Sequence, residues 1–295
     1  MKIGFMGTGL MGAPMVERLL DNGMLVVIYN RSQEKIEPIV KKYGAEKVTV
    51  APSPDKLIES VDCLILMLTN AQAIRNLILS TESQHQISLS HPTIIQMGTI
   101  TPTESQEIHS EIVKLGGKYI EAPVLGSIPE AKSGNLILMI GAEEKDYLEG
   151  SQNYLQVLKN FSPDPIYIGQ VGTAAALKLA LNQLIASLTT SFALSLAFVQ
   201  NYGVKVDDFM SILRQSALYA PTFDKKLQRM LDGNYANPNF PTKHLLKDTS
   251  LFLNEAKSTG LNISSIEGVE KILHKTMEMA LADGDYSSLF EAINK

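Results

Sequence analysis

The chain has 295 residues, a formal net charge of −5 and a hydrophobic fraction of 45%, which is enough apolar material for a substantial core and, by length, for two domains. This mildly acidic composition lacks the basic patches that bind nucleic acid or membrane surfaces, so we expect neither partner. Cys63 is the only cysteine, which excludes a disulfide framework and favours a reducing, cytoplasmic location.

The first half of the chain alternates β-rich runs with segments of helix-forming composition. The β-rich runs cover 2–7, 24–30, 46–50, 63–68, 93–97, 118–123, 135–140 and 166–170. This rhythm predicts an α/β domain over 1–170, with a doubly wound, mainly parallel sheet. From about residue 173 the rhythm stops, and the pattern over 171–295 predicts an all-α C-terminal domain, which we assign to substrate binding and dimerisation.

The glycine-rich stretch GTGLMG directly follows the first β-rich run and opens a helix, in G-x-G-x-x-G spacing. Gly7 permits a tight turn, Gly9 lets a pyrophosphate approach the backbone, and Gly12 allows close packing of helix on strand. A turn that only connects two elements is the alternative. In this context the motif predicts a Rossmann dinucleotide site, with phosphates at the helix N-terminus. The cofactor-binding residues predicted here are Gly7, Thr8, Gly9, Leu10, Met11 and Gly12.

The end of the second β-rich run selects between the two nicotinamide cofactors. An acidic residue there would bind a ribose 2′-hydroxyl and repel a 2′-phosphate, but this chain has Asn30, Arg31 and Ser32. Arg31 offers a planar, permanently charged fork that suits a phosphate. The alternative is a solvated arginine on the surface. We predict NADP(H) as the cofactor, with Asn30, Arg31 and Ser32 in its binding site.

The stretch 173–201 reads as one long helix that is apolar around most of its circumference and carries a single charge, Lys178. A membrane span is the alternative, but the uncharged 179–199 segment holds seven polar residues, which favours a buried central helix. A buried ammonium must be paired or used, unless it snorkels to water. Asn182 lies four residues further on and shares its face of the helix, so the two side chains predict a catalytic pair.

Four motifs are distributed along the chain: GFMGTGLMG at the N-terminus, EAPVLGSIPEAKSGNLILMIGA at 121–142, GQVGTAAALKLALNQ at 169–183 and FPTKHLLKD at 240–248. Together they resemble the β-hydroxyacid dehydrogenase family over essentially the whole chain. The family includes 3-hydroxyisobutyrate dehydrogenases, tartronate semialdehyde reductases and glyoxylate/succinic semialdehyde reductases. The NADPH-using glyoxylate/succinic semialdehyde reductase branch is the one the chain resembles most.

The resemblance assigns roles to residues that the pattern alone would leave as ordinary. It implies that Lys178 is the catalytic acid/base and that Asn182 contacts the substrate. Thr99 would lie near both nicotinamide and substrate, and Lys247 on the nicotinamide side. Further residues implied in the cofactor or substrate sites are Leu68, Thr69, Phe240 and Asp248.

Two positions depart from the family pattern. Gly98 stands where a serine usually precedes the threonine, which removes one hydroxyl. Leu125 stands where the family has a serine that binds the substrate carboxylate, although Gly126 and Ser127 still offer backbone N–H groups and one hydroxyl for an anion pocket. Leucine cannot donate a hydrogen bond, so this departure leaves room for a longer or less polar aldehyde, unless Leu125 simply packs.

The sequence therefore predicts an NADP-dependent oxidoreductase that transfers hydride to a small aldehyde or oxo acid such as glyoxylate or succinic semialdehyde. The alternatives are a 3-hydroxyisobutyrate-type dehydrogenase, an imine or ketone reductase, and a non-catalytic NADPH-binding protein. The apolar 173–201 helix also predicts a homodimer or homotetramer. We predict no metal site, because the histidines lack metal-ligand spacing; they are His85, His91, His109, His244 and His274.

Overall fold

The computed structural model of the chain describes residues 1–79, 89–150 and 153–294. These residues form two compact units, Met1–Lys178 and Leu179–Lys295. The division falls inside helix α9 (Thr173–Asn201), whereas the predicted boundary lies just before this helix begins.

The first unit is built on a single sheet with the strand order β3-β2-β1-β4-β5-β6-β8-β7, and β9 pairs with β8. Strands β1 to β6 are parallel to one another, whereas β8 runs antiparallel to both β6 and β7. The predicted doubly wound, mainly parallel sheet is thereby confirmed. The strands are β1 (Ile3–Met6), β2 (Val26–Tyr29), β3 (Val48–Val50), β4 (Cys63–Leu66), β5 (Thr93–Gln96), β6 (Lys118–Glu121), β7 (Val124–Leu125), β8 (Ile137–Gly141) and β9 (Ile166–Gly169).

Helices cover both faces of this sheet. They are α1 (Gly12–Asp21), α2 (Glu37–Tyr43), α3 (Pro54–Ser60), α4 (Ala71–Ile74), α5 (Pro102–Lys114), α6 (Ile128–Ser133), α7 (Glu144–Glu149) and α8 (Tyr154–Leu158), with a 3₁₀ turn at Gln33–Lys35 and a π turn at Arg75–Leu79. Alternate residues of a strand point to opposite faces, so Phe5 packs into one apolar core and its neighbour Met6 into the other. Both faces are buried, which explains why the central strands read as unbroken apolar runs.

The lone cysteine lies in the middle of this arrangement. Cys63 begins β4 and its side chain is fully buried in the core. Burial raises the pKa of its thiol to about 12, because the thiolate would lose its hydration.

The second unit is helical, as predicted. After α9 its helices are α10 (Val206–Gln215), α11 (Pro221–Asp232), α12 (Thr242–Ser258), α13 (Ser264–Glu278) and α14 (Leu289–Ile293), with a 3₁₀ turn at Tyr286–Ser288. Its core contains a buried ion pair, in which Lys226 Nζ lies 2.8 Å from both carboxylate oxygens of Asp285. Desolvation lowers the pKa of Lys226, and the carboxylate of Asp285 opposes that shift.

Among the described residues, α9 is long and apolar enough to cross a membrane by length and composition, a test that core helices of other proteins also pass. In its most apolar window 44% of the residues are buried within the protein. The polar side chains of Lys178, Asn182 and Thr189 are among the buried ones. Buried polar groups of this kind are typical of a core helix, where neighbouring protein atoms replace water.

Candidate active site

The loop between β1 and α1 has the geometry expected of the glycine motif. Gly7 adopts a φ of +99°, and a Cβ added there would clash with the carbonyl oxygen of Met67. A Cβ on Gly12 would clash with the carbonyl oxygen of Gly7. A Cβ on Gly9, by contrast, would meet no protein atom within 4 Å. The fold thus requires glycine at the first and third positions, whereas the open space over Gly9 fits a ligand that lies against the backbone.

Donors are available around this open space. No side chain of the described residues caps the N-terminus of α1, which begins at Gly12. The hydroxyl of Thr8 is buried and has no hydrogen-bond partner within the described ranges. An uncapped helix N-terminus beside an unsatisfied hydroxyl suits the phosphates of a dinucleotide. The residues between the glycines lie at the surface of this loop, with Leu10 exposed and Met11 half-buried.

Asn30 joins the glycine loop to the turn after β2. Its Oδ1 accepts a hydrogen bond from the backbone N–H of Thr8 at 3.0 Å, and its Nδ2 donates to the carbonyl oxygen of Ser32 at 2.9 Å. One acceptor site and one donor of this amide are therefore used within the protein. Arg31, which follows it, is exposed. Of the predicted trio, Arg31 carries the charge that a 2′-phosphate would pair with.

The loops after β4 and β5 meet at the same edge of the sheet. Gly98 is buried, and its N–H and carbonyl groups both bond to the side chain of Gln96. A Cβ on Gly98 would lie 2.5 Å from the carbonyl oxygen of Leu68. The departure from the family pattern at Gly98 thus has a packing reason. Thr99 follows it, half-buried at the carboxyl end of β5, and Thr69 is exposed beside Leu68.

The stretch after β6 contains the residues predicted to form an anion pocket. Leu125 ends β7 and is half-buried. The backbone N–H and the hydroxyl of Ser127 both donate to Oε2 of Glu130, at 2.8 Å and 2.7 Å, as an N-terminal capping box of α6. A carboxylate of the protein itself therefore takes the two donors that Ser127 would offer to a substrate anion.

Glu121, the last residue of β6, holds the start of α9. One carboxylate oxygen, Oε1, accepts hydrogen bonds from the backbone N–H groups of Gly172, Ala174 and Ala175, at 2.8, 2.9 and 3.3 Å. The side chain is 1% exposed. A carboxylate under the first turn satisfies N–H groups that have no partner inside the helix and complements the helix dipole.

The other oxygen of Glu121 is also satisfied. Oε2 accepts a hydrogen bond from the hydroxyl of Ser105 at 2.6 Å, and that hydroxyl oxygen lies 2.8 Å from the phenol oxygen of Tyr119. Burial raises the pKa of the Glu121 carboxyl, and the hydroxyl and backbone donors oppose this shift.

Lys178 lies on α9 shortly after the turn that Glu121 holds, and it is 9% exposed. The parallel strands end at the edge where the glycine loop, Thr99 and Glu121 are found, and ligands of doubly wound sheets bind at this edge. Within the first unit, the structure thus places the helix that carries Lys178 at the cofactor edge of the sheet.

The predicted residues of the second unit form a cluster of their own. Asn182 Nδ2 donates to Oδ2 of Asp248 at 2.7 Å, and Lys247 Nζ lies 2.9 Å from Oδ1 of the same carboxylate. Asn182 and Asp248 are both buried, and Oδ1 of Asn182 has no hydrogen-bond partner in the described part of the chain. From the sequence alone, Lys247 and Asp248 would be a solvated ion pair on a helix surface. In the structure the carboxylate of this pair is buried.

An aromatic group lies next to this cluster. The ring of Phe240 stacks on His244 at a centroid distance of 6.4 Å and packs edge-on against Tyr286. Burial is the main cause that lowers the pKa of His244, and the nearby ammonium of Lys247 adds to it. Phe240, His244 and Tyr286 thus form an aromatic group within the second unit.

Sequence reasoning missed three residues that shape this region. Glu121, Gln96 and Glu130 use their side chains on the backbones of neighbouring loops or helices. Gln96 and Glu121 are polar residues that end the β-rich strands β5 and β6, which is the signal that could have identified them. The described residues contain no group of three or more His, Cys, Asp or Glu that could hold a metal, and His85 lies outside the described residues.

Two family models together cover nearly the whole chain. The NAD binding domain of 6-phosphogluconate dehydrogenase matches residues 2–169, and the NAD-binding domain of NADP-dependent 3-hydroxyisobutyrate dehydrogenase matches residues 172–293. The two matches meet close to the start of α9. Both describe binding of a nicotinamide dinucleotide.

The chain is also similar to individual reductases and dehydrogenases over nearly its whole length. The chain is 30% identical to glyoxylate/succinic semialdehyde reductase 1 of Arabidopsis thaliana, over 99% of this chain and 98% of that protein. It is 28% identical to the chloroplastic glyoxylate/succinic semialdehyde reductase 2 of the same plant, over 99% of this chain and 79% of that one. The solved structure of Mycobacterium tuberculosis 3-hydroxyisobutyrate dehydrogenase with L-serine has the same fold, with a TM-score of 0.85 at 21% identity, over 100% of this chain and 99% of that chain. The chain belongs to the β-hydroxyacid dehydrogenase family of NAD(P)-dependent oxidoreductases.

Proposed function

We propose that the protein is an NADPH-dependent reductase that transfers hydride to a small aldehyde or oxo acid, such as glyoxylate or succinic semialdehyde. The observation that carries this proposal is the buried Lys178, placed by α9 at the edge of the sheet that also holds the glycine loop. The relatedness to plant reductases of these two substrates supports the choice of substrate class.

NADPH, when bound, would supply the hydride. Reduction of a carbonyl develops negative charge on its oxygen, and the ammonium of Lys178 would donate a proton there. Asn182 lies one helical turn further along α9, on the same face. Asp248 fixes its amide through the 2.7 Å hydrogen bond and leaves Oδ1 as an acceptor for a hydroxyl of the product.

Leu125 and Ser127 bear on which aldehydes fit. At Leu125 the side chain offers no hydrogen bond, and the donors of Ser127 are directed to Glu130. A substrate carboxylate would find fewer donors here than the family pattern provides. We therefore propose that longer or less polar aldehydes are reduced with efficiency comparable to that for glyoxylate.

A substrate screen tests the proposed function. The measurement is oxidation of NADPH, followed by the loss of absorbance of the reduced nicotinamide, with glyoxylate, succinic semialdehyde, tartronate semialdehyde and longer neutral aldehydes. Turnover of at least one aldehyde is the expected result. Tight NADPH binding without turnover across the panel would favour a non-catalytic protein, and turnover confined to an imine or ketone panel would favour that type of reductase.

Arg31 is expected to set the cofactor preference. In the wild-type protein kcat/KM should be higher with NADPH than with NADH, and Arg31→Ala should lower the NADPH value by about 10- to 100-fold, because a charge-assisted pair with a phosphate contributes about 1.5–3 kcal/mol. The value with NADH should stay nearly constant. Lys35→Ala, which removes an exposed charge from the same turn region, is the matched control. Clear preference of the wild-type protein for NADH would contradict the assignment.

We further propose a homodimer or homotetramer. The exposed side of α9 carries Leu184, Leu188, Leu194 and Phe198, with Phe198 60% exposed. These spacings follow the helical repeat, so the side chains form an apolar stripe that a second copy would cover. Sedimentation equilibrium should therefore give a mass at least twice 32.3 kDa; a monomer at micromolar concentration would contradict the proposal.

A further inference from the structure

Glu121 is buried where its carboxylate contacts the start of α9. A strand-end carboxylate with 1% exposure is costly to bury, so its four hydrogen-bond donors must offset a large loss of hydration. Three of the four donors lie at the start of α9, one just before the helix and two in its first turn. The side chain therefore acts chiefly on α9.

The three donors define the direction of the helix as well as its position. Gly172 N–H precedes the helix, and the N–H groups of Ala174 and Ala175 lie within its first turn. All three converge on a single oxygen atom, so the turn can neither slide along its axis nor rotate about it without losing at least one bond. Gln106 adds a further contact, because its Nε2 donates to the carbonyl oxygen of Val171 at 3.2 Å.

Lys178 follows this turn by three residues, or about 4.5 Å of helix rise from Ala175. An α-helix is stiff over such a distance, so the placement of the turn determines the placement of the lysine. A displacement of about 1 Å at a reacting group can cost about 10²-fold in rate.

We propose that Glu121 is a positioning residue for Lys178, acting through the hydrogen bonds of its Oε1 to the first turn of α9. The inference rests on the proposed function in so far as Lys178 is the proton donor. The rate of the proton-transfer step then depends on the length and acceptor geometry of the Glu121 side chain rather than on its charge.

Two substitutions of Glu121 separate reach from charge. Glu121→Gln keeps the length and the acceptor oxygen but removes the charge, and kcat should remain within about threefold of the wild-type value, since the amide oxygen can still accept from the helix. Glu121→Asp keeps the charge but shortens the side chain by one methylene, and kcat should fall by about 10²-fold. The KM for the aldehyde and the dissociation constant for NADPH should change little in either variant.

Ser105→Ala is the matched control. It removes the buried donor to Oε2 and leaves the contacts of Oε1 with α9 in place. Its kcat should resemble that of the wild-type protein. All rates are expressed per NADPH-binding site, titrated by fluorescence, so that a loss of folded protein does not count as a loss of kcat.

Hydrogen exchange provides a readout that does not depend on activity. Amide exchange of a peptide covering 170–180 should speed up in Glu121→Asp and stay near the wild-type rate in Glu121→Gln and Ser105→Ala. Unchanged exchange and kcat in Glu121→Asp, or equal losses in the Asp and Gln variants, would overturn the inference. If Lys178→Ala alone kept wild-type turnover, the proposed function would fail, and with it the link from Glu121 to catalysis, whatever the exchange rates.

Discussion

Replacing Lys178 by alanine is expected to lower kcat for aldehyde reduction by about 10²–10⁴-fold, the usual contribution of a positioned general acid. Lys178 belongs to α9 and not to the glycine loop, so the dissociation constant for NADPH should stay within about twofold of the wild-type value. Stopped-flow reduction of the best aldehyde from the screen measures the first quantity, and quenching or enhancement of NADPH fluorescence measures the second.

Two further variants test whether a loss of turnover comes from the missing ammonium or from a cavity or a general effect of removing a lysine. Lys178→Met replaces the ammonium by an apolar group of similar length, which avoids a cavity in the buried face of α9 and should be as inactive as the alanine variant. Lys257→Ala removes an exposed helical lysine of α12 and should leave turnover unchanged. Near-normal turnover by both Lys178 variants would refute the proposed mechanism and favour an imine-type reductase.

Gly9 and Gly12 of the glycine motif are expected to respond to alanine in opposite ways. Gly9→Ala should weaken NADPH binding by about tenfold or more, because the new methyl would occupy the space where a ligand approaches the backbone. The ligand-free protein should melt at the wild-type temperature or slightly above it, because no protein atom lies within 4 Å of the added Cβ. Gly12→Ala should destabilise the ligand-free protein by about 1–3 kcal/mol, since its Cβ clashes with the carbonyl oxygen of Gly7.

Thermal unfolding with and without NADPH separates these effects. Gly268→Ala is the control, because this exposed glycine lies within α13 and its added Cβ would also meet no atom within 4 Å. That variant should retain normal NADPH binding and gain up to about 1 kcal/mol from helix propensity. Normal NADPH affinity in Gly9→Ala would show that the loop does not hold the pyrophosphate.

The sheet could be predicted well because its signals are local. Strands β1 to β6 all lie inside the β-rich runs of the sequence, and the glycine motif follows β1 directly. The direction of β8 could not be predicted, because an apolar run does not encode whether its neighbour is parallel. β7 was not predicted either, since Val124–Leu125 is too short to leave a periodic pattern.

The candidate site was predictable where one residue type implied one chemistry, as for Lys178 and the glycines. It was not predictable where a side chain bonds a distant backbone. Glu121 bonds residues more than 50 positions later, and the Asn30 amide bonds Thr8 over 22 positions. No spacing rule connects such partners, because the sheet topology brings them together. Asp248 is brought against Asn182 by helix packing instead, since α9 and α12 are 66 positions apart at that bond.

The buried thiol at the start of β4 also makes the protein easy to label. Cys63 is fully buried with a pKa of about 12, so at neutral pH it should react extremely slowly with maleimides or methanethiosulfonates. A cysteine introduced at an exposed position such as Thr173, the first residue of α9, would then be modified selectively in the native chain. A spin label or fluorophore could be attached there without first removing a native cysteine, and its mobility would follow the start of the helix that carries Lys178.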